Sequence, residues 1–160
     1  MRVYVGLTTS ALRAARDSGA IEAPLTAHAV TPALRESYAS ADTEELEYAA
    51  LTAAADSCLP LLAAAPGEPR RRLVAACEVP AAVPDPEPGP SGVAVADPIP
   101  WRDVQAIHAD DPEAAPVVAA AAEAYAAALA GDDDARVTVD EADGWELMWF
   151  ATQEADQVLG

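Results

Sequence analysis

The chain has no lysine and no asparagine, and its nine basic residues are all arginine. Against them stand 27 acidic residues, for a net charge of −18. Binding phosphates requires clusters of cationic side chains, so this balance excludes direct nucleic-acid binding and docking on anionic membranes. No apolar run reaches the roughly 18 residues that mark a transmembrane helix. The two cysteines, Cys58 and Cys77, are too few for a disulfide framework. Each lies in an apolar stretch and reads as a buried free thiol. There is no G-x-S-x-G, no glycine-rich phosphate loop and no CxxC, and neither cysteine has a histidine near it in sequence. No nucleotide cofactor or nucleophilic mechanism is therefore signalled, and no cofactor is expected. Met1-Arg2-Val3-Tyr4-Val5 is too short an apolar region for a signal peptide and reads as a strand, which points to the cytoplasm.

Large apolar side chains are also scarce. There are 41 alanines but only three tryptophans, one phenylalanine and two methionines. Two of the tryptophans, the phenylalanine and the only internal methionine fall in Trp145-Glu146-Leu147-Met148-Trp149-Phe150. Such a run is either the keystone of the core or an exposed docking patch. A core this poor in bulk favours the first reading. Trp145 or Leu147, together with Trp149, are then expected to be buried, and any docking falls on the polar rim Thr152, Gln153 and Glu154.

What is present organises as alternating helices and strands in one domain over residues 1–160. Arg2–Leu7 alternates as a strand. Thr9 or Ser10 caps a helix that stops at Gly19. Leu25–Val30 is a weak strand. Thr31-Pro32 opens a short helix, and Asp42 with Glu45 opens a longer apolar one that Pro60 must kink or split. Leu73–Val79 is almost continuously apolar and reads as an interior strand covered on both faces. Residues 80–91 are a proline-rich internal loop, extended and poor in hydrogen bonds, with five prolines in Pro80–Pro90. Gly92–Ala96 is a short strand, and Val104–Ala109 a strand or short helix. Asp111-Pro112 caps an alanine-rich helix ending at Gly131. Asp132-Asp133-Asp134 reads as a solvated acidic turn, and Arg136–Val139 as a strand. This order predicts an α+β fold, with a mixed or antiparallel sheet and helices packed on one face, in a possible ferredoxin-like arrangement.

Three clusters are candidates for chemistry. His108, Asp110 and Asp111 offer metal-ligand types within four residues, weighed against Asp111 serving as a helix cap. Arg70, Arg71 and Arg72 are the only basic cluster, able to grip a carboxylate or phosphate or to pair with acidic neighbours. Thr152, Gln153 and Glu154 form the partner-facing rim.

Several segments together resemble an uncharacterised actinobacterial family, a domain of unknown function: Met1–Val5, Val30–Glu36, Thr43–Ala50, Ile107–Asp111 and Trp149–Glu154. The resemblance spans most of the chain. It implies a cytoplasmic protein of a GC-rich bacterium, in keeping with the missing lysine, and assigns no residue a role. The leading functional expectation is a non-enzymatic module that binds another protein with a basic surface, or mimics nucleic acid in a basic groove. The alternative is a metal-assisted hydrolase or small-molecule-binding enzyme using His108, Asp110 and Asp111. A third is assembly through the alanine-rich helix.

Overall fold

The computed structural model describes residues 1–160. Strand β1 (Arg2–Leu7) alternates as its sequence dictates, with Val3, Val5 and Leu7 in one apolar cluster and Tyr4 in another. Helix α1 (Thr9–Ser18) starts one residue earlier than expected. Thr8 is the cap, its hydroxyl accepting the Ala11 N–H, and Gly19 closes the helix at φ 90°. After β2 (Ala20–Ile21) and β3 (Leu25–His28), Thr31 caps α2 (Pro32–Ser37) and Asp42 caps α3 (Thr43–Asp56). Pro60 splits the long helix: it has no N–H for the Asp56 carbonyl, and α4 (Cys58–Ala64) begins anew after Ser57.

β4 (Leu73–Glu78) leads into the proline-rich loop. That loop is less bare than its composition suggests. β5 (Val83–Pro84) pairs with β6 (Gly92–Val95), and Asp85 donates its N–H to the Gly92 carbonyl at 2.8 Å. β7 (Ile99–Pro100) pairs with β2, and β8 (Val104–Ala109) resolves as a strand. A short helical turn over Pro112–Ala114 precedes α5 (Ala115–Leu129).

Arg136–Val139 is not a strand but the middle of α6 (Asp133–Glu141). Asp132 caps it by accepting the Ala135 N–H at 2.9 Å, and Asp133 and Asp134 suit the positive end of the helix. The acidic turn is a helix start, and four alternating residues were too few to define a period. β9 (Met148–Ala151) and α7 (Ala155–Leu159) complete the chain.

The main sheet runs β5-β6-β3-β1-β4-β8-β9, with every neighbouring pair antiparallel. The α+β class and the antiparallel sheet hold. The finer arrangement differs from expectation in two ways. β3, which follows α1, lies directly beside β1, whereas in a ferredoxin-like fold that strand lies away from the first. Helices also cover both faces. Val3, Val5, Leu73, Cys77 and Ile107 pack with α1 and α7, while Tyr4, Val74, Ala76 and Ala106 pack under α2 and α3. A further cluster joins α4, α5 and α6 through Leu59, Leu62, Val118 and Val139. Cys58 and Cys77 are buried and unpaired. No helix is long and apolar enough to cross a membrane.

Trp149 reverses its expectation: it is 62% exposed. β9 is the outermost strand, and Phe150 faces the α1–α7 core. Alternation turns Trp149 to the opposite side, where the helical cover ends at half-buried Leu147. Trp145 is half-buried against the α4–α6 cluster.

Candidate functional site

The three arginines are held by their own chain. Arg70 closes the C-terminal end of α4, donating to the carbonyls of Leu62, Ala65 and Glu68. Arg71 donates to the carbonyls of Asp110 and Val158 at 2.8 and 3.1 Å. Arg72 is 1% exposed and makes a forked ion pair with Asp110, which is fully buried, through Nε and Nη2, each at 2.9 Å. Its Nη2 also reaches the carbonyls of Ala142 and Trp145. Burial lowers the Arg72 pKa, and the Asp110 carboxylate more than offsets it, so the guanidinium stays charged. The cluster ties the ends of β4 and β8 to the segment after α6. It leaves no free fork for an anion.

The proposed metal ligands are likewise engaged. Asp110 receives the Arg72 backbone N–H and side chain, and Asp111 caps the turn before α5 by accepting the Glu113 N–H at 2.9 Å. His108 lies half-buried opposite Trp149 in the β8–β9 ladder. Burial, and then the charge of Arg2, lower its pKa. No three histidine, cysteine or acidic side chains converge to hold a metal ion. On the rim, Thr152 donates to the Val104 carbonyl and Glu154 accepts the Ala151 N–H, which leaves Gln153 as the exposed member.

The residues that do converge were not singled out by sequence. Asp56 ends α3, Asp140 lies in the last turn of α6, and Asp143 follows it in a short turn. All three line a cleft of about 340 Å³, with His28, Tyr125 and Arg136 also in its walls. Both helices point their negative ends here, and neither carries a basic residue in its last turn. Helix ends normally favour cations at this position, so acidic residues there are electrostatically costly. That is the signal the sequence contained: aspartates at two helix C-termini. Confinement in the cleft, then a hydrogen bond and repulsion from Asp143, with repulsion from Asp140, push the Asp56 carboxyl up to about 7; Arg72 opposes this. The side chain still reaches solvent, and water screens part of that repulsion. Asp56 thus takes up a proton near neutral pH.

A stability prediction follows from the sign of that shift. The folded state binds a proton that the unfolded chain, with Asp56 near its ordinary value of 3.8, has already released. Stability therefore falls as pH rises from about 4 to about 7, and the full loss is present above 7. Asp56→Asn keeps a hydrogen bond to Asp143 without the charge. It is expected to melt above the parent at pH 8 and to match it near pH 4; equal melting temperatures at pH 8 would overturn the assignment.

The match to known proteins is to a family. A family model described as a family of unknown function (DUF6912) covers residues 1–159. The chain belongs to that family. No curated protein and no solved structure matches it. Membership assigns no activity, so the function of this DUF6912 chain must be read from its surface and its cleft.

Proposed function

We propose that the chain is a non-enzymatic protein-binding module of the cytoplasm that docks a basic, extended segment of a partner protein along β9. The observation that carries this reading is Trp149, 62% exposed on the outermost strand of the sheet. A strand paired on one side only can accept another strand, and a large aromatic beside it anchors the side chains of that strand. Charge supports the choice of partner. Tyr48, 54% exposed, donates its hydroxyl to Glu146 on the same side, and the chain as a whole carries −18. A field of that sign draws in lysine- and arginine-rich segments and repels phosphate backbones. The free buried thiols support a reducing compartment. The rim Thr152–Glu154 sits at the end of β9, where Glu154 covers the Ala151 N–H and so bounds the docking edge.

The probe is a set of extended peptides with arginine and apolar residues alternating. Tryptophan emission is expected to shift to the blue on adding them at low salt and to return with rising salt. Trp149→Ala should abolish the shift while changing stability by less than about 0.5 kcal/mol, as exposed substitutions do. No shift with any basic peptide, or an equal shift in the variant, would overturn the reading.

A further inference from the structure

The Asp56 cleft plays no part in docking along β9, and its chemistry points to a small ligand. Its volume, about 340 Å³, falls within the roughly 300–1,000 Å³ typical of small-molecule sites. Asp56, Asp140 and Asp143 supply acceptors at the negative ends of α3 and α6. An acidic cluster on a surface is ordinarily just solvated. Here a second observation is independent of it. His28, 3% exposed, lines the same cleft, and its Nε2 is buried without a hydrogen-bond partner. Its Nδ1 is taken by Ser91 Oγ at 2.8 Å. A buried polar atom left alone is costly, so an orphan in a cleft marks where a ligand completes the site.

We propose that the cleft binds a short aliphatic diamine, with one ammonium held between Asp56 and Asp143, Asp140 adding to the negative field, and the other nitrogen donating to His28 Nε2. In this assignment Nδ1–H donates to Ser91, and Nε2 presents its lone pair. Burial lowers the His28 pKa, which keeps the ring neutral and able to accept. Leu59, Leu129 and Val139 line the space that methylenes would fill, and Tyr125 offers an aromatic face to a cation. Arg136 lies in the same wall and offsets one of the three aspartates, leaving the lining net acidic. A hard metal ion fits less well: it requires about six oxygen ligands, and the three aspartates do not close into a set able to hold one.

Binding is linked to protonation. The ammonium replaces the proton on Asp56, and that proton passes to the buffer. The charged groups facing Asp56 are Asp140, Asp143 and Arg136 from the α6 side, Arg72 before β4, and neutral His28 from β3. Affinity should therefore rise as pH increases through about 7, approaching tenfold per pH unit below that value.

The test is calorimetric titration of the whole chain with putrescine at pH 7 in two buffers of different ionisation enthalpy. The expected result is saturable binding, with heats that differ between buffers by about half a released proton, since Asp56 is half-protonated at that pH. Asp56→Asn with Asp143→Asn should weaken binding by about a hundredfold, tenfold for each charge-assisted contact. His28→Leu should weaken it by about tenfold. Circular dichroism of each variant separates lost binding from lost folding, and Asp56→Asn alone keeps the local hydrogen bond if the others unfold. Absence of putrescine binding, unchanged affinity in folded aspartate variants, or displacement of putrescine by equimolar Mg²⁺ or by valine would each overturn the proposal. None of these outcomes bears on the β9 edge.

Discussion

Arg72→Ala is expected to be the most damaging single substitution, destabilising the chain by about 3–5 kcal/mol, the range for breaking a buried ion pair from one side. At about 2–4 °C per kcal/mol for a chain of this size, the melting temperature should drop by about 6–20 °C. The reason is what the guanidinium leaves behind. Asp110 is fully buried and would be left with only the backbone N–H of residue 72. The Trp145 carbonyl would lose the guanidinium as well, and the Ala142 carbonyl would keep only the Trp145 N–H. Arg72→Lys retains the charge but not the fork, and should fall between the two because one ammonium cannot reach both Asp110 oxygens and both carbonyls. Arg72→Met combined with Asp110→Leu removes the buried charges together and should recover part of the loss. It cannot recover all of it, since the Trp145 carbonyl is left without the guanidinium and the Ala142 carbonyl keeps only the Trp145 N–H. A denaturation midpoint for Arg72→Ala within about 1 kcal/mol of the parent would show that the segment after α6 relaxes and hydrates the site.

The same pair shows why some of the site could be read from the sequence and some could not. Arg70, Arg71 and Arg72 stand out because basic residues are rare here, and of the two uses the sequence allowed, gripping an anion or pairing with an acidic neighbour, Arg72 takes the second with Asp110. Whether a guanidinium faces solvent or a carbonyl 70 residues away is a tertiary fact. Local patterns fared better. Val3, Val5 and Leu7 alternate, Thr31-Pro32 and Asp42 carry cap chemistry, and Pro60 breaks the helix because it lacks a donor, so these elements lie where the sequence places them. The continuous apolar run of Leu73–Cys77 also implied a strand buried on both sides. Helices on one face alone are incompatible with that run, and the sheet resolves the conflict by taking cover on both. Trp149 could not be placed by composition. Its exposure depends on β9 being outermost and on how far α3 extends across the sheet. The acidic cleft depends on two helix ends far apart in sequence meeting in space, which no single window reveals.

Gly6→Ala tests that meeting from the opposite side of α3. Glycine is not required at this position by its backbone angle, since the positive-φ glycines are Gly19, Gly89 and Gly131. What requires it is proximity. A Cβ on residue 6 would sit 2.6 Å from the Ala54 carbonyl oxygen and closer still to Ser57 Oγ. The serine hydroxyl can rotate away, at the loss of its own bond to Ala54. The carbonyl belongs to the last turns of α3 and can yield only if the helix lifts from β1. Overpacking of this kind costs about 1–3 kcal/mol, or a fall of about 2–12 °C in melting temperature. Ser57→Ala should not rescue it, because the backbone oxygen remains. If it does rescue it fully, the side chain alone was the obstacle, and α3 does not press on β1 at this point. The consequence reaches the cleft, because Asp56 lies between Ala54 and Ser57 on the displaced turn. Lifting that turn separates its carboxyl from Asp143, which is anchored by the segment that Arg72 holds through the neighbouring Ala142 carbonyl. The Asp56 titration, followed by carboxyl NMR, should then move down from about 7 towards the ordinary carboxylate range, and with it the pH dependence of stability should flatten. An unchanged titration in a destabilised variant would mean that the two carboxyls move as one body, with the close approach at Gly6 supporting the core alone.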